Sequence, residues 1–484
     1  MESALFLSVI VVYFLVLLGV AYYTSKNANN ETFFIGNKSS HWALVAFGMI
    51  GTSLSGVTFV SVPGTVELAK FSYFQVVLGY FLGYFVVAFV LLPLYYRLQL
   101  TSIYNYLGQR FGQSSYKTGA IFFIISRTLG ATLRLYLVIN VLQIFVLDAL
   151  GISFHVTTLL ILLMILLYTF KGGVKTIVWT DTLQTFFMLL ALVVCVFYIM
   201  GDLNMGIGET LSSLSDSGHL QVFNFNFLDK KYFLKQVIGG AFITIAMTGL
   251  DQEMMQKNIS VKTLGGAQKN MVLFSSVMVL VNFLFLLLGG VLYLYATNKG
   301  LLVKGDDLFP TIALSHMPMW ISLIFIIGLI SALFPSADGA ITALTSSFCI
   351  DILGIQRNKN LTEAQQSRTR KTVHLTFALV FLLMVYYFKI LNNKSIIGIL
   401  LDIAGYTYGP LLGLFAFGIL SKHKIHDNLA PLVCLAAPML CYGFQNYVPA
   451  YFGWNYQIGI ELLVLNGGLT FLGLWLIRKK ELVG

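Results

Sequence analysis

Long apolar runs separated by short polar stretches make up most of the chain. Runs of about 20 apolar residues have the length of an α-helix that crosses a bilayer. The short alternating segments of a membrane β-barrel are absent, so the pattern predicts helices. By this criterion we predict about thirteen membrane helices, near residues 4–23, 42–69, 72–97, 118–147, 154–170, 176–200, 232–250, 269–297, 317–350, 372–390, 395–420, 427–447 and 457–477.

The composition and the charge distribution support this interpretation. The 484 residues are 57% hydrophobic and 10% charged, whereas a soluble protein carries about 25% charged residues. The net charge of +10 comes from basic residues scattered among short loops, which gives no patch suited to nucleic acid. We assign Lys257, Lys262 and Lys269 to one inner loop. An external N-terminus places roughly twenty basic residues inside and about eight outside, which predicts an N-out, C-in protein of a bacterial-type plasma (inner) membrane.

Two of the predicted helices contain clusters of glycine and hydroxyl residues. They are "FGMIGTSLSGVTFVSVPG" (47–64) and "VIGGAFITIAMTGL" (237–250). Such clusters permit close helix packing. They also mark unwound segments whose free carbonyl oxygens coordinate a cation. The second cluster lies five predicted helices after the first, as expected if two five-helix halves each begin with a broken helix.

Four ionisable residues at membrane depth are candidate site residues, because burying a charge there costs several kcal/mol. They are Arg127, Arg134, Asp181 and Asp338. Asp181 is either a ligand of a hard cation such as Na⁺ or the partner of a basic residue. The two arginines lie near one helix face, and each either pairs with a structural carboxylate or binds an anionic substrate group.

The stretch "SALFPSADGA" (331–340) adds a proline, hydroxyls and an aspartate to an apolar run. A proline within a helix leaves the carbonyl four residues earlier, here that of Ser331, without its usual donor. This carbonyl needs a cation, water or another partner. The stretch is therefore part of a hydrated core or a hydroxyl-rich packing surface between helices with a proline kink.

Six stretches in succession resemble the sodium:solute symporter family. They are "SLSGVTFVSVPG" (53–64), "TSIYNYLGQRFG" (101–112), "GGVKTIVWTDTLQ" (172–184), "GLDQEMMQKNISVKT" (249–263), "SALFPSADGAITALTSSFCIDIL" (331–353) and "GYTYGPLLGLFAFGI" (405–419). The resemblance implies an all-α integral membrane protein with the inverted five-plus-five helix repeat of leucine-transporter-like proteins. The expected segments are an extra helix and inner loop (1–40), the first repeat (41–201), an external loop (202–231), the second repeat (232–420) and two C-terminal helices (421–484).

The resemblance also implies a Na⁺ site between the first broken helix and the eighth helix of the core. Its expected ligands are the carbonyls of Gly51, Leu54 and Ala332 and the side chains at Pro335 and Ser336. Family members commonly have two hydroxyl residues at the last two positions, so one hydroxyl is missing here.

Some members that transport sialic acid have a second Na⁺ site, so one or two ions are expected. By resemblance, Asp181 is a ligand of this site and Asp338 replaces a serine. An arginine of these members holds the substrate carboxylate, and Arg134 matches it. The expected substrate-binding residues are Ser53, Ser55, Thr58, Arg134 and Phe242.

The expected function is Na⁺-coupled symport of a small polar solute by alternating access. The solute would be an organic anion such as sialic acid, a sugar acid or a monocarboxylate. The alternatives are a uniporter or H⁺-coupled carrier of a neutral sugar, polyol or amino acid, and a non-transporting membrane sensor. We expect no enzymatic activity and no transition metal. The expected partners are Na⁺, the solute and the lipid bilayer, with the monomer as the functional unit.

Overall fold

A computed structural model describes residues 2–26, 33–34, 40–358, 360–391, 396–452 and 458–482. Within these ranges the chain forms helices and one small antiparallel sheet, whose strands are β1 (His423–Ile425) and β2 (Arg478–Leu482). The helices are α1 (Glu2–Thr24), α2 (Trp42–Ser53), α3 (Gly56–Ala69), α4 (Tyr73–Arg97), α5 (Asn105–Arg110), α6 (Gln113–Leu150), α7 (Phe154–Phe170), α8 (Gly173–Asp202), α9 (Ile207–Asp216), α10 (Phe233–Gly249), α11 (Gln252–Ile259), α12 (Leu264–Asn298), α13 (Leu308–Thr311), α14 (Met319–Ile352), α15 (Glu363–Leu391), α16 (Ile396–Leu420), α17 (Ala430–Phe452) and α18 (Leu462–Leu476).

The described part of the chain contains nine helices that are long and apolar enough to cross a membrane. The number of spans rises to as many as eleven if each of two bent helix pairs counts as one. The apolar helices α7 and α18 are shorter. The chain is therefore a multi-pass helical membrane protein, as predicted, while the count of thirteen spans stays a prediction.

The two bent pairs coincide with the two glycine- and hydroxyl-rich clusters. Helices α2 and α3 meet at 56°, and helices α10 and α11 meet at 64°. Four further apolar helices follow each pair: α4, α6, α7 and α8 after the first, and α12, α14, α15 and α16 after the second. This order agrees with two five-helix groups. Their inverted relation and the division of the chain at 41–201 and 232–420 stay predictions.

Helix α14 lies at the centre of the bundle. Every residue from Gly328 to Ser347 is buried, and the helix packs against α8 and also contacts α2 and α11. The "SALFPSADGA" stretch is therefore enclosed by other helices. Helix α14 therefore contacts both bent pairs.

The segment 202–231, predicted as a loop, contains helix α9. The side chain of Leu214 is fully buried and lies against Gly290 of α12, where a Cβ atom would come within 2.6 Å of it. The Lys70 ammonium, at the end of α3, donates to Gln221 Oε1 at 2.7 Å. The segment thus lies over the ends of α3 and α12 on one face of the bundle.

Candidate functional site

The first break leaves backbone oxygens without hydrogen-bond donors. The final carbonyls of a helix have no donor within that helix, and no hydrogen bond among the described residues ends on the carbonyl of Gly51 or Leu54. At the second break, by contrast, Tyr95 donates to the Gly249 carbonyl at 2.8 Å and Tyr104 to the Leu250 carbonyl at 3.0 Å. The first break can therefore offer oxygens to a cation, whereas tyrosines already satisfy the second.

The expected Na⁺ ligands on α14 belong to a helix that contacts α2. Ala332, Pro335 and Ser336 are buried. The Ser336 hydroxyl donates to the Leu333 carbonyl at 2.9 Å, which leaves its oxygen lone pairs able to accept or coordinate. Carbonyl and hydroxyl oxygens suit a hard cation, so this set fits Na⁺. Because Pro335 contributes no side-chain oxygen, the set has one ligand fewer than expected.

Asp181 lies fully buried in α8 and is paired with Lys257. Its Oδ2 atom accepts from the Lys257 ammonium at 2.7 Å and from the Thr52 hydroxyl at 3.0 Å. The ammonium also lies 2.6 Å from Thr52 Oγ1 and 3.4 Å from Glu253 Oε1. Of the two alternatives for Asp181, the structure therefore contains the pair with a basic residue.

The assignment of Lys257 to an inner loop was wrong. Lys257 belongs to α11 and is only 2% exposed. The break at Leu250 and Asp251 redirects the chain, and α11 continues through the core against α2 and α14. Lys262, five residues later, is exposed as expected.

Asp338 has a different partner from Asp181. It is fully buried in α14, and its Oδ2 atom accepts from the Tyr168 hydroxyl of α7 at 2.7 Å. The next residue, Gly339, faces Glu253, because a Cβ atom there would lie 2.2 Å from Glu253 Oε1. Whether Asp181 or Asp338 binds Na⁺ stays a prediction.

Arg127 forms a buried ion-pair network with the second bent pair. Its guanidinium contacts the Glu253 carboxylate and lies 3.9 Å from Asp251 Oδ2. The Tyr408 hydroxyl of α16 donates to the same Asp251 oxygen at 2.8 Å. Asp251 also caps α11 by accepting from the backbone N–H of Glu253 at 2.9 Å. Of the two alternatives for Arg127, the structure therefore contains the pair with structural carboxylates.

Arg134, two turns further along α6, has no such partner. Its side chain lines a cavity of about 110 Å³. It is 8% exposed, forms no hydrogen bond or ion pair among the described residues, and its Nε atom is buried and unpartnered. The cavity wall also includes Ser53, Ser55 and Thr58 from the first break. Phe242, the remaining expected substrate contact, is partly buried and is not among the residues that line the cavity.

Sequence reasoning missed the charged residues of α11. Asp251, Glu253 and Lys257 are all buried, yet "DQEMMQKN" (251–258) has the polarity of a loop. One signal was available. A predicted break in the preceding helix means that the residues after it complete the crossing, so their charges lie in the core and need partners.

Comparisons with known proteins agree with this architecture. The model of the sodium:solute symporter family matches residues 33–426. The sodium/sialic acid symporter NanT of Aliivibrio fischeri is 24% identical over 94% of this chain and 90% of its own length. The sodium-coupled monocarboxylate transporter 2 of Danio rerio is 26% identical over 82% of this chain and 64% of its own length. The solved structure of a substrate-bound, outward-open Na⁺-coupled sialic acid symporter has a TM-score of 0.84 at 19% identity and covers 99% of both chains, which shows a shared fold.

Proposed function

We propose, on the premise that this chain belongs to the sodium:solute symporter family, that it couples the entry of Na⁺ to the uptake of a small organic anion. Its family and its structural neighbours are transporters and not enzymes. The single observation that carries the proposed substrate class is the Arg134 guanidinium in the cavity beside the first break, for which the described residues supply no partner.

The contrast between the two arginines of α6 supports this substrate class. The carboxylates of Asp251 and Glu253 neutralise Arg127, whereas no described residue neutralises Arg134. An unpaired charge in a buried site is costly. A substrate carboxylate would remove that cost by accepting two parallel hydrogen bonds from the planar guanidinium. Arg134 therefore favours a substrate with a carboxylate over a neutral sugar or polyol. An amino acid also has a carboxylate, but no described residue that lines the cavity is acidic and could pair with its ammonium group.

The hydroxyls beside Arg134 support a substrate that also carries polar groups. Ser53, Ser55 and Thr58 can each donate or accept a hydrogen bond, and all three line the cavity. Sialic acid, sugar acids and hydroxylated monocarboxylates combine a carboxylate with such groups. The names of the relatives, which refer to sialic acid and to monocarboxylates, are consistent with this class.

Coupling follows from the position of the proposed Na⁺ ligands. Gly51 and Leu54 lie next to the hydroxyl residues of the same break. Na⁺ bound between this break and α14 would hold the hydroxyls in one arrangement. If this arrangement is also the one that binds the anion, each ligand raises the affinity for the other. Either one or two ions would satisfy this mechanism.

The proposed location is a bacterial-type inner membrane, with the N-terminus outside, the C-terminus inside and the segment 202–231 on the outer face. The distribution of basic loop residues supports this orientation. We propose that the monomer is the functional unit.

The test is counterflow in proteoliposomes that contain the purified protein. The panel comprises N-acetylneuraminate, gluconate and lactate as anions, and glucose, mannitol and alanine as solutes without a net negative charge. We expect exchange of at least one anion and of none of the other three solutes. Exchange of only glucose, mannitol or alanine would contradict the proposed substrate class.

The variant that tests the role of Arg134 is Arg134→Ala, with Arg368→Ala, which removes an exposed arginine, as the matched control. We expect Arg134→Ala to lose at least about 100-fold in uptake, the cost of leaving a bidentate charged contact unmade. It should keep its folding and its ²²Na⁺ binding, and Arg368→Ala should transport normally. An unchanged KM for the anion in Arg134→Ala would assign Arg134 to structure.

A further inference from the structure

Lys257 lies in a cluster of oxygen atoms contributed by three helices. Its ammonium is 2.7 Å from Asp181 Oδ2 in α8, 2.6 Å from Thr52 Oγ1 in α2 and 3.4 Å from Glu253 Oε1 in α11. The side chain is 3% exposed. We call these three oxygens with the ammonium between them the Lys257 cage. The cage joins the two bent helix pairs to α8.

The oxygens of the cage are of the kind that bind a hard cation. Two carboxylates and a hydroxyl are preferred ligands of such ions. An ammonium group has three N–H donors and no acceptor, so it can satisfy one oxygen with each donor. The ammonium therefore brings a positive charge to the place where Asp181 would otherwise attract a metal ion.

The remaining residues around this place do not favour an additional Na⁺. Gly339 has no side-chain oxygen, and the Asp338 carboxylate accepts from the Tyr168 hydroxyl at 2.7 Å. A side chain at position 339 would collide with Glu253, since a Cβ atom would lie 2.2 Å from Oε1 and 3.3 Å from the Lys257 ammonium. The glycine thus makes room for the cage. An ion beside the ammonium would be repelled at short range in a buried site.

We propose that Lys257 is a tethered replacement for a second sodium ion, so that this chain binds and transports one Na⁺ per cycle. The inference rests on the proposed function, because it specifies the number of ions in the Na⁺-coupled cycle. The single ion binds at the first break. The positive charge beside Asp181 is the Lys257 ammonium, which remains part of the protein throughout the cycle.

The same geometry predicts how a second Na⁺ site can be created. Asp181 Oδ1 is buried and has no donor among the described residues. Removing the ammonium also withdraws its N–H donors from Asp181 Oδ2, Thr52 Oγ1 and Glu253 Oε1. The variant Lys257→Ala would then present four oxygens and uncompensated negative charge to any cation that enters.

The experiment is equilibrium binding of ²²Na⁺ to the purified full-length protein in detergent, with the number of bound ions determined per chain. We expect one Na⁺ for the wild type, two for Lys257→Ala, and one again for the double variant Lys257→Ala/Asp181→Asn. The control is Lys262→Ala, which removes an exposed lysine five residues away and should bind one ion.

The outcomes separate this inference from the proposed function. Two ions on the wild type, or one ion on a folded Lys257→Ala variant, would overturn the tethered-cation proposal and leave Na⁺ coupling intact. No ion on the wild type would overturn the proposed function and the single-ion count together. If Lys257→Ala does not fold, the number of Na⁺ ions bound by the wild type still tests the inference, because the inference requires one ion per chain.

Discussion

At the scale of single residues, partners distinguish two otherwise similar arginines. Arg127 and Arg134 lie on the same helix, and both are buried. Arg127 pairs with Glu253 and Asp251, whereas Arg134 faces a cavity and has no partner among the described residues. A paired charge contributes to the folded state, whereas an unpaired one is kept at a cost and points to a ligand.

This contrast predicts opposite effects on stability. Arg127→Ala leaves Asp251 without its cationic partner and Glu253 with Lys257 alone, and it should destabilise the protein by about 3–5 kcal/mol. Arg134→Ala removes an unpaired charge and should leave the melting temperature unchanged or raise it. Thermal unfolding in detergent, followed by tryptophan fluorescence without added solute, measures both. Equal losses of stability would refute the distinction between the two arginines.

Sequence reasoning identified all four candidate residues of the apolar helices but not the partner of Asp181. Arg127, Arg134, Asp181 and Asp338 were detectable because a charge within an apolar run is conspicuous. Lys257 was not, because its neighbours in "QEMMQKN" (252–258) are polar. Its burial depends on the direction that the chain takes after Asp251, which is a tertiary property.

At the scale of elements, the break between α7 and α8 depends on Gly173, the first residue of α8. Gly173 has φ +54° and ψ −146°, a combination open essentially to glycine alone. A Cβ atom there would also lie 2.4 Å from the Cα atom of Phe33. The glycine thus permits both the turn and the close approach of the segment before α2, and it sets the direction in which α8 carries Asp181 into the core.

Gly173→Ala should therefore destabilise the protein by more than the 1–3 kcal/mol expected for a strained backbone alone, because a backbone clash is added. The control is Gly201→Ala near the end of α8, where no atom lies within 4 Å of the added Cβ. It should be neutral or slightly stabilising, since alanine favours a helix. The readout is the fraction of monodisperse protein after mild heating. Equal behaviour of the two variants would contradict the structural role of Gly173.

The turn between α12 and α13 packs on the first bent pair and carries a titratable carboxyl. A Cβ at Gly64 of α3 would lie 2.1 Å from the Gly305 carbonyl, so the turn touches this helix directly. Burial raises the pKa of Asp306 in this turn from 3.8 to about 6, and the neighbouring Asp307 charge adds to the rise. The ammonium of the nearby Lys304 forms an ion pair with Glu67 Oε1 at 2.7 Å.

A carboxyl whose pKa is raised by folding stabilises the folded state while it is protonated. This contribution is complete below about pH 4 and is lost as the pH rises through about 6. Asp306→Asn should remove this dependence and be more stable than the wild type at pH 7 by on the order of 1–2 kcal/mol. Thermal unfolding between pH 4 and 7 measures the difference. Asp307→Asn, at an exposed position, should keep the pH dependence of stability that the wild type shows. If the stability of Asp306→Asn changes with pH as that of the wild type does, this carboxyl does not titrate as described.

At the scale of the whole molecule, the apolar pattern of the sequence predicted a multi-pass helical membrane protein, and the glycine- and hydroxyl-rich clusters predicted which two helices are broken. Hydropathy predicts spans well because the bilayer requires long apolar helices whose backbone is satisfied internally. It did not predict helix α9 or the pairing of Ile425 with Arg478 in the small sheet. Both form in polar segments, where tertiary contacts decide the structure.

The predicted orientation can be tested by labelling introduced cysteines with a membrane-impermeant maleimide in intact cells. The four native cysteines are buried, so they give little background. Ser217→Cys, in the segment 202–231, should react in intact cells, and Lys262→Cys only after permeabilisation. Both positions are exposed, so accessibility within the fold does not explain a difference. The reverse pattern would invert the proposed topology.

The central claim is that a Na⁺ gradient drives the uptake of an organic anion. The most direct measurement is accumulation of the anion that exchanges in counterflow, in proteoliposomes with an imposed inward Na⁺ gradient and with choline in place of Na⁺ as the comparison. The account predicts accumulation above equilibrium with Na⁺ and simple equilibration with choline. Equal accumulation in choline, or accumulation driven by a proton gradient alone, would contradict it.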